Sequence, residues 1–157
     1  MFQKIIQTSL LIGLLGSSIA IMPSSLAQDQ DEQDNQTVKV GRLTIDLQDC
    51  TRSSSTVRCN FLFSRDTSGN VALTCQRNWC RFYDYDGNVY SSAFTTWNGN
   101  LPGQTPRKLS VIFEGIPSRV DRISTLQITV SDTNATSCVF GGRCWRTTFR
   151  QIDISKK

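Results

Sequence analysis

Six cysteines and no histidine bound the chemistry open to this 157-residue chain. Without an imidazole there is no Ser-His-Asp or Cys-His nucleophile and no His-ligated metal site. Cys50, Cys59, Cys75, Cys80, Cys138 and Cys144 include no Cys-x-x-Cys, the spacing that zinc sites and redox dithiols use. Disulfides are the expected state of an even set of this kind in an exported chain. Spacing favours local pairing. Cys50 and Cys59 flank a Ser54-Ser55 turn, Cys138 and Cys144 flank Gly141-Gly142, and Cys75 and Cys80 enclose four residues.

Two constellations remain. Asp84, Asp86 and Asn88 place two carboxylates and an amide oxygen in five residues, a hard oxygen cluster of the kind calcium prefers. A helix-loop-helix calcium site needs Glu at its twelfth position, where this chain has Thr95, so Asp86-Gly87-Asn88 reads instead as a hairpin turn. The second constellation joins arginine to aromatic rings. Arg77, Trp79 and Arg81, with Phe82, crowd the Cys75–Cys80 loop; Arg143, Trp145 and Arg146, with Phe149 and Arg150, crowd the Cys138–Cys144 hairpin. Indole faces stack on sugar rings, and guanidinium forks grip carboxylate, sulfate or phosphate. The plainer reading makes Trp145 and Phe149, four apart on one strand face, part of the core and the arginines its wet side. Elsewhere the acids Asp46, Asp49, Asp66, Glu114, Asp121, Asp132 and Asp153 are scattered and form no glycosidase-type pair. Ser53-Ser54-Ser55 lacks the Gly-x-Ser-x-Gly setting of a hydrolase nucleophile. No catalytic residue and no cofactor are expected.

The elements that must position these residues begin after an address. Lys4, the apolar run 10–15 and Ser25-Leu26-Ala27 have the form of a secretory signal peptide over residues 1–27. Ser17, Ser18 and Pro23 interrupt the apolar run short of a membrane span. Cleavage would start the mature chain at Gln28 and leave a soluble secreted or periplasmic protein with no membrane span. Residues 28–36 hold no apolar side chain and read as a flexible acidic linker. The remaining 37–157 carry 16 basic and 9 acidic groups, net +7, which favours anionic partners. Export argues against nucleic acid as the partner. Asn35-Gln-Thr37 and Asn134-Ala-Thr136 are glycan acceptor patterns, meaningful in a eukaryotic host.

From residue 37 onward the apolar pattern has period two. Val38 and Val40, then Leu43, Ile45 and Leu47, then Val57, Cys59, Phe61 and Phe63, and later Leu109, Val111 and Phe113 alternate with polar neighbours, as half-buried strands do. Segments 71–75, 81–85, 88–95, 126–130 and 146–154 are further strand candidates. Turn signals separate them, Asn98-Gly99-Asn100 among them. Seven to eight antiparallel strands must bury their apolar faces together. The expectation is an all-β fold, an immunoglobulin-like sandwich over 37–157, with a small closed barrel as the alternative.

The framework residues also carry a resemblance. Leu43-x-Ile45-x-Leu47-x-x-Cys50, Val57-x-Cys59, Asp84-x-Asp86-Gly87-Asn88-x-Tyr90, Leu109-x-x-x-Phe113-Glu114-Gly115-Ile116-Pro117, Ile123-x-x-Leu126-x-Ile128 and Phe149-Arg150-x-Ile152 follow in order. Together they resemble the small secreted immunoglobulin-like domains of unknown function found in bacteria and cyanobacteria. The resemblance implies a sandwich fold and an extracytoplasmic binding or interaction module, and it brings no catalytic residues. The two further cysteine pairs and the arginine content depart from it. The functional expectation is therefore a non-enzymatic module that binds an anionic polysaccharide, a lipid head group or an envelope protein through its basic aromatic loops. A structural domain that pairs with another envelope protein is the alternative.

Overall fold

The computed structural model describes residues 36–75, 79–93, 96–131 and 143–156. Every regular element among them is a strand. The signal segment, both glycan acceptor asparagines, Arg77 and Cys138 lie outside the described residues.

Among the described residues ten strands run in chain order: β1 (Thr37–Val40), β2 (Leu43–Ser53), β3 (Thr56–Arg65), β4 (Gly69–Thr74), β5 (Arg81–Tyr83), β6 (Val89–Ser91), β7 (Thr96–Leu101), β8 (Arg107–Phe113), β9 (Arg122–Ser131) and β10 (Cys144–Lys156). Seven to eight were expected. One source of the excess is β7, where Asn98-Gly99-Asn100 continues a strand and does not turn. Pairing with β4 keeps the segment extended, and glycine there makes room for an indole, since a Cβ on Gly99 would come within 2.7 Å of the Trp97 ring. β7 pairs with β4 from Gly69 opposite Leu101 to Thr74 opposite Thr96.

The hydrogen-bonded order is β6-β5-β9-β10-β2-β3-β8, with β1 added to β2, and β4 paired to both β9 and β7. Two separate packed sheets were expected; the strands instead form one curled open sheet, a half-barrel. The pairing is antiparallel except between β10 and β2, which run parallel from Ile154 opposite Cys50 to Lys156 opposite Arg52. Its curl buries rings from distant strands against one another. Phe61 lies 5.5 Å from Phe149, and Phe82 lies 4.8 Å from Phe113, centroid to centroid. One bridge, Ser92 to Phe113, brings the chain just past β6 against β8.

The alternation of buried and exposed residues shifts phase twice. Along β2 the buried residues are 43, 45 and 47, then 50 and 52, and a bulge lies between Leu47 and Asp49. Along β10 they are 147 and 149, then 152 and 154, and Gln151 between them has φ 54°. In β2 the shift occurs where the strand leaves β1 and meets β10; in β10 it comes shortly before the strand meets β2 at Ile154, while pairing with β9 continues to Asp153. A bulge or a left-handed residue turns the strand by one position, so both new stretches still face the core.

Two polar groups tie the periphery down. The buried Arg52 guanidinium donates to the carbonyls of Ile116 (3.1 Å), Ser54 (3.4 Å) and Val120, holding the chain between β8 and β9. The Gln36 side-chain amide donates to the carbonyl of Arg150 and accepts from its N–H at 2.7 Å, standing in for a strand residue beside β10. Gln36, read from sequence as the last linker residue, is thus joined to the folded domain.

Candidate functional site: a basic aromatic face

Cys50–Cys59 and Cys75–Cys80 are disulfide-bonded, as local pairing predicts. Cys144 is disulfide-bonded too; the predicted pairing with Cys138 lies outside the described residues. Disulfides form and persist in an oxidising compartment. Among the described residues no helix is long and apolar enough to cross a membrane.

The Cys75–Cys80 bond closes a tight connection between β4 and β5, and it sets Trp79 beside the outer side of β9. There Thr129 donates its hydroxyl to the Trp79 carbonyl at 2.9 Å. Thr129 lies opposite Arg146 on β10. Trp79, Thr129, Cys144 and Arg146 line a cleft of about 270 Å³. Two residues along, Arg81 lies opposite Gln127, donates Nε to its Oε1 at 3.0 Å, and places its guanidinium 5.4 Å from the centre of the Tyr83 ring. These contacts fix a flexible cation in place before any ligand arrives, which lowers the ordering cost of binding.

The sequence-predicted residues divide accordingly. Trp79, Arg81 and Arg146 come together on this face. Trp145 is half-buried and packs against the core, the side to which Phe149 is fully buried, so it takes no part in the cleft. Arg143 is exposed, and its carbonyl accepts the Ser131 hydroxyl at 3.0 Å. Sequence reasoning missed Thr129, Gln127 and Tyr83. The alternation in β9, with Leu126 and Ile128 buried, already pointed Gln127 and Thr129 outward, but which strands lay beside β9 was not encoded locally.

The calcium-type segment does something else. Asp84 is buried, and both carboxylate oxygens accept hydrogen bonds: Oδ1 from the N–H groups of Asp86 (3.0 Å) and Asn88 (2.8 Å), and Oδ2 from the Asn88 amide (2.8 Å) and the Tyr90 hydroxyl (3.1 Å). Burial works against the charge, yet the hydrogen bonds from Asn88, Tyr90 and Asp86 outweigh it and hold the carboxyl below its ordinary value of 3.8. Burial and the bond to Asp84 push the Tyr90 phenol above its ordinary 10.0, against a smaller opposing effect of Arg119. Asp84 is therefore the hub of the β5–β6 turn. Gly87 takes φ 83° in that turn, where a side chain would be strained. Nearby, Asp84, Tyr85, Asp86 and residues 119–122 line a second cleft of about 310 Å³ with charges of both signs. Arg122 in its wall is paired to Asp153 at 2.8 Å and lies over the Tyr85 ring.

No family model and no curated protein matches the chain. Among solved structures it is similar to the crystal structure of the yjhA protein from Bacillus subtilis, at 11% identity and a TM-score of 0.41, over 78% of this chain and 96% of that one. A similarity of that degree carries no argument.

Proposed function

We propose that this is an exported, non-enzymatic module that binds an anionic polysaccharide at the Trp79–Arg146 cleft. One observation carries the reading: an indole and the Arg146 guanidinium line a cleft of about 270 Å³, a clamped guanidinium at Arg81 lies one row along, and the outward carboxylate of these strands, Asp153, is paired to Arg122 away from the cleft. A ring face for a sugar and planar donors for its acidic group are what such a ligand needs. Export is supported by the signal-type segment and the disulfides. Kinship with small exported immunoglobulin-like domains is part of the proposal. Its support is that the framework motifs fall on β2, β3, β8, β9, β10 and the β5–β6 turn.

The test is retention of the mature domain on a polyuronate matrix against a neutral glucan matrix. Retention on the acidic matrix alone is expected, with a steep fall as salt rises. Trp79→Ala and Arg146→Ala should each weaken it, and Arg107→Ala on β8 should not. Equal retention on the neutral matrix, or indifference to both cleft substitutions, would overturn the reading.

A further inference from the structure

We propose that the ligand is a polymer lying along β10, held at three cationic positions by Arg146, Arg81 and Arg150. The proposal rests on the reading just given and specifies the ligand's repeat and direction.

The strand register sets the outer face in three rows. Arg146 stands beside Thr129 and Trp79; Arg81, Gln127 and Thr148 form the next row; Tyr83, Thr125 and Arg150 form the third. Their partners in the alternation, Phe82, Leu126, Ile128 and Phe149, are fully buried, so the rows point away from the core. Each side chain in the rows is basic, hydroxyl, amide or aromatic. The nearest ion pair, Arg122 with Asp153, lies past the third row. The three rows are thus cationic along their whole length, with two rings, and an exposed aliphatic group, Val89, stands beside Tyr83 at the β6 edge.

Spacing then excludes a small ligand as the full occupant. Arg146 and Arg150 are about 13 Å apart along the strand at ~3.3 Å per residue, and Arg81 lies two strands away, about 10 Å at ~4.8 Å per strand. A single acidic group reaches one of these guanidiniums. Engaging all three takes a ligand that repeats its charge, and the rings of Trp79 and Tyr83 favour repeats that are sugars. Arg81 uses Nε on Gln127, and its paired Nη atoms hydrogen-bond no described residue, so the fork remains for an oxyanion. Arg150 is exposed, while its backbone is occupied by Gln36, which fixes where its side chain leaves the strand.

Titration of the mature domain with uronic-acid di-, tetra- and octasaccharides tests this. Affinity should rise by more than about tenfold from the disaccharide to the octasaccharide, the range that one added charge-assisted hydrogen bond provides. Arg150→Ala should weaken octasaccharide binding by about tenfold and disaccharide binding by less than about twofold, because the short ligand fills only the cleft at Trp79. Circular dichroism of the variant should match the parent, since the Gln36 contacts are to backbone. Equal affinity for all lengths, or an equal loss for short and long ligands, would overturn the polymer register and leave the cleft reading intact. Binding to anionic phospholipid vesicles tighter than to the octasaccharide would overturn the polymer as ligand. Failure of every acidic saccharide to bind would overturn the cleft reading itself.

Discussion

Asp84 shows how one residue can resemble a metal ligand and yet serve as a turn's anchor. A carboxylate that accepts four hydrogen bonds from within four or six residues of itself has its lone pairs committed to the hairpin. The pH dependence follows from the direction of each shift. Since folding lowers the Asp84 pKa below 3.8, its contribution is complete above that pH and is lost as pH falls through the folded value. Folding raises the Tyr90 pKa above 10.0, so that contribution is complete below 10.0 and is lost as pH rises toward the folded value. Thermal melts should therefore show a midpoint that is level between these limits and falls on both sides. Asp84→Asn should lower the midpoint at neutral pH, through loss of the ~1.5–3 kcal/mol of stability a charge-assisted hydrogen bond contributes, and flatten the acid limb. An acid limb of unchanged slope in that variant would show that other carboxylates govern it. This turn was legible in sequence because Asp-Gly-Asn between tyrosines states its geometry locally. Trp79 was legible only as a candidate, because its position depends on Thr129, fifty residues away.

At the scale of the element, the pattern to explain is the three-residue step in Leu47-x-x-Cys50 and Phe149-x-x-Ile152. Both steps were visible in the sequence, and a strict period of two forbids them. In the structure the first is where β2 exchanges β1 for β10, and the second comes just before β10 gains β2 as a neighbour while still paired to β9, so a strand that must face the core in two settings carries one residue out of phase. In β10 that residue is Gln151, at φ 54°. A left-handed conformation costs a residue with a Cβ about 1–2 kcal/mol, and a β-branched one more. Substitution at 151 should thus invert ordinary strand preference: Gln151→Gly should be neutral or stabilising, and Gln151→Val should destabilise by about 1–2 kcal/mol. At Thr148, in regular alternation on the same strand, valine should be the better of the two. Urea titrations of the four variants decide the matter, and valine ranking above glycine at 151 would remove the phase-shift account. Asn98-Gly99 shows the reverse failure of local reading. Its glycine signals a turn, but Trp97 two residues earlier is the reason for it, and only the folded pair reveals that.

For the whole molecule the question is what keeps a curled open sheet from splaying. Neither described disulfide does so: Cys50–Cys59 joins the adjacent strands β2 and β3, and Cys75–Cys80 spans five residues between β4 and β5. The half containing β9 and β5 meets the half containing β2, β3 and β8 through the last residues of β10 and through the Ser92–Phe113 bridge. Ile154 sits opposite Cys50, and its N–H donates to the Asp121 carbonyl at 2.8 Å. Ile152 and Ile154 are buried, each contributing about 1.5–3 kcal/mol. Their sum, about 3–6 kcal/mol, reaches the lower end of the total stability of an ordinary domain, about 5–15 kcal/mol. A chain that ends at Gln151 should therefore lose its cooperative urea transition, although the Cys50–Cys59 and Cys75–Cys80 disulfides and most of β10 remain. A chain that ends at Ile154 keeps the buried pair and should retain that transition, with a loss of about 1–3 kcal/mol for the Ser155–Thr51 and Lys156–Arg52 pairs with β2. If the shorter chain unfolds at the parent's urea midpoint, the closure lies elsewhere and the bridge at Ser92 is the next place to cut. No local pattern announces this parallel contact between the start and the end of the domain. Its only trace in the sequence is that apolar alternation resumes at Ile152 and continues at Ile154, one residue past the last β9 pair at Asp153.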